Sequence, residues 1–494
     1  MPTEEAMASD PDARRPPAGH DASRSLPLPE PGRRQAERYV ADHLRHLVDT
    51  SGAGTFSSAV FRGGQVAADA ALAALDLTGY AEAGRRAYPQ HRRRTSALSP
   101  WIRHGLLSLT RVWDHVHRLE PSPPPVDLDA FAHALAWQEF ARHRYARRAA
   151  GVVTVGGSPP SSPDAAARDD RRRGHRSSDR SGGGIDERGS VWDRRLGCVQ
   201  ITLDELEDDG WLVDEGRRWL ASQWAVRHGR SPAEGERHFV THLLDGSRAA
   251  NGLAWELVTA PDPAGRFRFS RWEVEARAAG LCATCELVHR CPIERPIEGL
   301  GPGEAPPPDP GFVHDVAPER TAGPREATAT ATGLGPGLGL GPGRGAAGAG
   351  QAEAVWLTAE SLGDDDPALV AHPDLPAVFV FDEPLLARLR LSAKRFVFLV
   401  ETLAELACRR RVEIVLGDPR VALAHRPLAV TFTPVPGWRR HRRHLDVASV
   451  HPWPWLVWPD GGDVASFEGW WRSALPHLQA GTQTSTGRNA RAAR

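Results

Sequence analysis

The chain has 494 residues, 40% of them apolar and 25% charged, an ordinary globular mixture long enough for two or three domains and a sizeable core. Lys plus Arg (61) balance Asp plus Glu (62), so net charge singles out no polyanionic partner, and any nucleic-acid contact must come from local basic faces. The first 35 residues lack the apolar core of a signal or transit peptide and no apolar run approaches a membrane span, so the expectation is a cytoplasmic protein with no membrane partner, monomeric by default.

Residues 1–35, 155–190 and 299–352 are too rich in Pro, Gly, Ser and charge to offset chain entropy, and read as a tail, an insertion and an interdomain linker. Between 36 and 298 the spacing is helical, with amphipathic segments at 66–88, 125–149, 203–227 and 234–258. In the third of these, Leu212, Gly216, Leu220 and Trp224 form an i, i+4 ladder, and Trp211, Asp214 and Arg217 share a second face. From 353 to 475 the texture changes to short β-rich runs at 354–358, 377–382, 412–416 and 429–433, with helical stretches such as 384–409 between them. This order predicts a parallel sheet covered on both faces, with Asp382 and Asp418 at the strand carboxyl ends where such sheets bind ligands. Residues 476–494 read as a second tail.

Four blocks carry candidate chemistry. The first is TSALS, Thr95 to Ser99, whose short hydroxyl residues at a helix start suit an anion, although the same pentapeptide makes an ordinary N-cap. WQEF follows at Trp137 to Phe140, where Trp137 taken alone is a core residue, and then DDGWLVDEGRRWLASQ. The last is LLDGSRAANGLAW, in which Asn251 and Trp255 stand at i, i+4 and so meet on one helix face. In this order, with FRGGQV from Phe61 ahead of them, the blocks resemble the DNA photolyase and cryptochrome superfamily.

That resemblance implies a mainly α, FAD-binding domain followed by a smaller α/β domain, reversed from the family's usual order. It implies that Thr95, Ser96 and Ser99, with Leu98 alongside and Tyr80 before them, hold the FAD diphosphate. Trp137, Glu139 and Arg142 would lie around the cofactor, and Trp211, Asp214 and Arg217 would contact it from one helix. Asp245 would bind the ring or ribityl region, Asn251 would sit near the flavin N5, and Trp255 would begin an electron relay. Asp214 stands where the family commonly has Asn, and Ser247 where it has a second acidic residue, which alters the tuning of the ring.

Cys282, Cys285 and Cys291 form a C-x2-C-x5-C-P run, with Cys198 far upstream. Three close thiols are a metal pattern for a reducing compartment, open to an iron–sulfur cluster, to zinc held by four cysteines or with His289 in place of one thiol, or to buried unligated cysteines. The arrangement is similar to the iron–sulfur branch of bacterial cryptochromes and photolyases, which implies a 4Fe-4S cluster on Cys198, Cys282, Cys285 and Cys291. Cys408 is a small core residue. AVWLTAESLGDDDPALV resembles the opening strand of the family's α/β domain, but Thr358, Ala359 and Leu362 replace its arginines, so an antenna chromophore is left without assigned residues.

The activity so implied is a deoxyribodipyrimidine photolyase-type lyase acting on UV-damaged DNA by light-driven electron transfer. Val213 and Asp214 stand where a (6-4)-type enzyme would carry histidine, which favours a cryptochrome-like photoreceptor, or a flavoprotein without repair activity, as the alternative. A zinc-stabilised helical module that binds DNA without flavin is a third possibility.

Overall fold

A computed structural model describes residues 23–50, 54–149, 192–259, 269–294, 351–435, 438–459, 464 and 466–478. The insertion at 155–190 lies outside the described residues, as do nearly all of the linker and most of both tails.

Six strands build one sheet in the order β1-β4-β3-β2-β5-β6: β1 Arg24–Leu26, β2 Ala354–Leu357, β3 Ala377–Asp382, β4 Val412–Gly417, β5 Leu428–Thr431 and β6 Val447–His451. β2 to β6 run parallel to one another, in register Val355↔Ala377 between β2 and β3 and Val355↔Ala429 between β2 and β5. The four expected strands are present, with bounds shifted by a residue or two. Two strands are additions. β6 is half-buried along its whole length, so its apolar signal is weak. β1 comes from the stretch read as an unpacked tail, and pairs antiparallel with β4, Ser25 facing Val415. Three residues cannot announce a strand; the open edge of β4 supplies their hydrogen bonds.

The strands bury both faces, and alternate residues enter different cores. Val355, Leu357, Phe379, Phe381, Ile414 and Leu416 join the large core shared with the helices. Trp356, Val378, Val380 and Val430 join a second core with Phe432, Trp438, Trp453 and Trp455.

In the helical part the elements are α1 Arg33–Tyr39, α2 Gln65–Ala73, α3 Tyr80–Ala83, α4 Ser99–Arg103, α5 Leu109–Val116, α6 Pro125–Ala149, α7 Gly197–Asp208, α8 Asp214–Ala221, α9 Pro232–His242, α10 Arg248–Thr259 and α11 Arg271–Arg277. The single segment expected over 203–227 divides into α7 and α8 at Gly210, whose φ of 70° only glycine adopts without strain. After β2 come α12 Pro367–Ala371, α13 Glu383–Leu389 and α14 Ala393–Ala407.

α14 is buried on nearly every side, because it packs on the sheet and on the helical part at once. Its polar residues do the docking. Glu401 accepts from Gly63 N at 2.8 Å and from Arg33 Nε at 3.1 Å, Thr402 Oγ1 accepts from Gly64 N at 3.0 Å, and Glu405 from Val66 N at 3.1 Å. These carboxylates and hydroxyl satisfy the free amides at the start of α2. Among the described residues no helix is long and apolar enough to cross a membrane.

Candidate cofactor and thiol sites

Three of the four sequence blocks meet around one carboxylate. Asp245, in the turn between α9 and α10, accepts at Oδ2 from Ser99 Oγ at 2.6 Å and from Arg217 Nη2 at 2.7 Å. Trp211 Nε1 donates to the same Ser99 Oγ at 2.9 Å, and Arg217 Nε donates to Leu212 O at 3.0 Å. The loop before α4, the start of α8 and the turn before α10 are thereby tied together. Gly246 O next door accepts from Arg103 and Arg395, each at 3.2 Å. Burial pulls Arg395 down to about 9, and the guanidinium of Arg103 adds to the effect.

Within the same two blocks several buried polar atoms have no hydrogen-bond partner: Asp245 Oδ1, Asn251 Nδ2 and Trp255 Nε1 from the last block, and Trp219 Nε1 and Ser222 Oγ in and after α8. Asn251 is 5% and Trp255 3% exposed. A buried polar atom without a partner costs on the order of 1–3 kcal/mol, so so many on two neighbouring helices require an explanation. Trp255 also sets its ring edge against Gly235 of α9, where an added Cβ would strike the indole, and packs edge-on to Phe239 at 5.2 Å.

The remaining residues of the expected site have the following surroundings. Thr95 and Ser96 are half-buried in the extended stretch before Ala97, whose φ of 50° turns the chain into α4, and Leu98 is fully buried there. Ser247 precedes α10, and its carbonyl accepts Asn251 N at 2.8 Å. Tyr80 packs edge-on to Phe131, and burial first, then the carboxylates of Asp214 and Glu215, push its hydroxyl up. Trp137, Glu139 and Arg142 of α6 face the C-terminal segment. Trp137 packs on Phe467 at 5.1 Å, Arg142 lies over the Trp453 ring, and the fully buried Glu139 accepts from Leu456 N at 2.6 Å and Val457 N at 3.1 Å. Burial draws Arg142 down to about 10, against the pull of Glu139.

Sequence reasoning missed a buried ionic group beside Tyr80. Glu215 is fully buried and accepts from Arg85 Nε at 2.6 Å and from Arg218, with Arg277 Nε at 4.0 Å. Burial raises the neighbouring Glu273 to about 7, with Arg218 opposing. The hint in the sequence is Glu215 with Arg218 at i+3 on α8, since Arg85 and Arg277 come from segments far apart.

Cys198 on α7 and Cys282, Cys285 and Cys291 line one small enclosed space, walled by Leu196, Leu281 and Ile293. Gly197 N donates to Cys285 Sγ at 3.3 Å, which ties the start of α7 to the cysteine loop. Burial and then the other three thiols push the Cys198 thiol up. All five cysteines are free, and Cys408, expected in the core, is exposed at the end of α14. Among the described residues no group of three or more His, Cys, Asp or Glu is arranged to hold a metal ion as the side chains stand.

No family model matches the chain, and no curated protein matches it.

At the sheet, Asp382 and Asp418 do stand at the carboxyl ends of β3 and β4. Each is used locally: Asp382 Oδ1 caps α13 through Leu385 N at 3.0 Å, and Asp418 accepts from Arg420 N at 2.9 Å.

Proposed function

We propose that the chain is a photolyase-like flavoprotein, binding FAD in its helical part and an iron–sulfur cluster at its four cysteines, and acting on UV-damaged pyrimidines in DNA by light-driven electron transfer. The observation that carries the reading is the hub at Asp245, which joins Ser99, Trp211 and Arg217 from separate blocks and leaves Asp245 Oδ1 buried without a partner, as are Asn251 Nδ2 and Trp255 Nε1 on the helix that follows. Such atoms fit a polar ligand that supplies their missing partners. FAD, when bound, supplies the photochemistry. The chain's own residues would position and insulate it: Arg217 and Asp245 neutralise each other in a dry setting, Asn251 offers an amide donor, and Trp255 an oxidisable indole.

Four thiols around one space fit the donor set of a cluster, which spreads its thiolates over several irons. Zinc would draw all four to ~2.3 Å from a single point. Zinc on the same four thiols is the alternative metal.

The alternative, a cryptochrome-like photoreceptor or a flavoprotein without repair activity, is favoured by one observation: Val213 and Asp214 open α8 where the expected proton-donating histidine is missing. Anaerobic purification followed by absorption spectroscopy, cofactor release and metal analysis tests the shared part, and a colourless protein without FAD overturns it. Blue-light irradiation of damaged DNA with the reduced protein then separates the two, since persistence of lesions beside bound FAD removes the lyase.

A further inference from the structure

Arg227 ends the turn Ser222–Arg227 that prolongs α8, close to the cysteine loop. Its guanidinium is fixed by backbone oxygens: Nη2 and Nε donate to Phe269 O at 2.8 and 3.3 Å, and Nη1 to Pro292 O at 3.2 Å. Pro292 directly follows Cys291, so the charge is held against the thiol site. Among the described residues no carboxylate pairs with Arg227; the ionisable groups that face it are the thiols of Cys291 and Cys198, neutral when free and negative as metal-bound thiolates. Arg271, which also lines the space, is engaged by Glu275 at 2.9 Å and Glu294 at 3.5 Å. A half-buried cation without a carboxylate is costly unless the facing groups carry negative charge, as metal-bound thiolates do.

We propose that Arg227 is the counter-charge of the four-thiolate site and raises the reduction potential of an iron–sulfur cluster held there. The proposal rests on the cluster reading above. Reduction by an external one-electron donor adds one negative charge within the ring of Cys198, Cys282, Cys285 and Cys291; no bond to the protein forms or breaks, and Arg227 keeps its protons. A fixed cation nearby stabilises the more negative state.

The test uses the full chain purified anaerobically, as parent, Arg227→Gln, Arg227→Lys and Arg271→Gln, with iron and acid-labile sulfide measured first and dithionite as reductant in a spectroelectrochemical titration. Arg227→Gln is expected to weaken reduction about tenfold, ~59 mV downward for a one-electron couple. Arg227→Lys should recover most of that shift, and Arg271→Gln should move the potential less, because its charge is already paired. Absence of iron and sulfide from the parent, whether zinc or bare thiols are found, ends the cluster reading and the proposal with it. A fully loaded Arg227→Gln at the parent potential overturns the proposal alone. Should Arg227→Gln fail to hold its cluster, Arg227→Lys decides, since a tenfold loss there despite the retained charge would overturn the electrostatic role.

Discussion

Arg217 and Asp245 meet at 2.7 Å across the junction of α8 and α10, with 18% and 7% of their side chains exposed. Asp245 also receives Ser99, so one carboxylate compensates a guanidinium and fixes a loop. Asp245→Asn leaves Arg217 buried beside a neutral amide, and the expected loss of stability is ~3 kcal/mol. Urea unfolding measures it; flavin content of the purified variant should fall in parallel, and a variant as stable as the parent removes Asp245 as the hub.

Gly235 gives Trp255 its place against α9. A methyl group there meets the indole ring edge, so Gly235→Ala should cost ~1–3 kcal/mol through overpacking, although alanine favours helix more than glycine does. Thermal unfolding with tryptophan fluorescence reads both the loss and the displaced indole. A gain in stability would mean that Trp255 has room to move.

Burial holds His104, His238 and His242 far below the ordinary 6.5, at about 3, about 4 and about 3. Since the unfolded chain takes up these protons first, their contribution is complete above pH 6.5 and is lost as pH falls toward the folded values. Glu273, raised to about 7, and Asp366, raised to about 6, act in the opposite sense, losing their contribution as pH rises through those values. His242→Gln isolates one histidine. The stability difference between parent and variant should shift against the parent by ~1.4 kcal/mol per pH unit below about 6.5. A difference independent of pH would show that His242 titrates normally.

Lys394 is 2% exposed, and its ammonium donates to Glu207 O beside Asp208 and Asp209 at the end of α7. It is the sole lysine of the chain, so acylation of its peptide can be followed by mass spectrometry without competing side-chain amines. Labelling in the folded protein should be at least about tenfold slower than in urea. Equal rates would place the amine in solvent.

Glu139 anchors the C-terminal segment through the amides of Leu456 and Val457, and His143 Nε2 lies 2.9 Å from Val457 O. With Glu139→Ala both amides lose their buried acceptor, at a cost of ~1–3 kcal/mol each. Limited proteolysis around residues 453–458 should speed up while the rest of the chain resists. Unchanged cleavage would mean that the aromatic packing of Trp137 on Phe467 holds the segment by itself.

Local chemistry is what the sequence by itself determined. The β-branched and aromatic runs AVFVFD and VEIVL, the 3.6-residue spacing of 125–149 and the C-x2-C-x5-C-P run each depend on neighbours within a few residues, and all appear in the structure close to where they were read. The tertiary structure alone decided what distant residues share. Only there does Arg24–Leu26 find the edge of β4, do Arg85 and Arg277 close on Glu215, and does α6 turn Trp137 and Glu139 toward the C-terminal segment. The physical reason is that a salt bridge, an edge-strand pairing or a buried carboxylate gains its energy from desolvation and geometry at the point of contact, which no periodicity along the chain encodes.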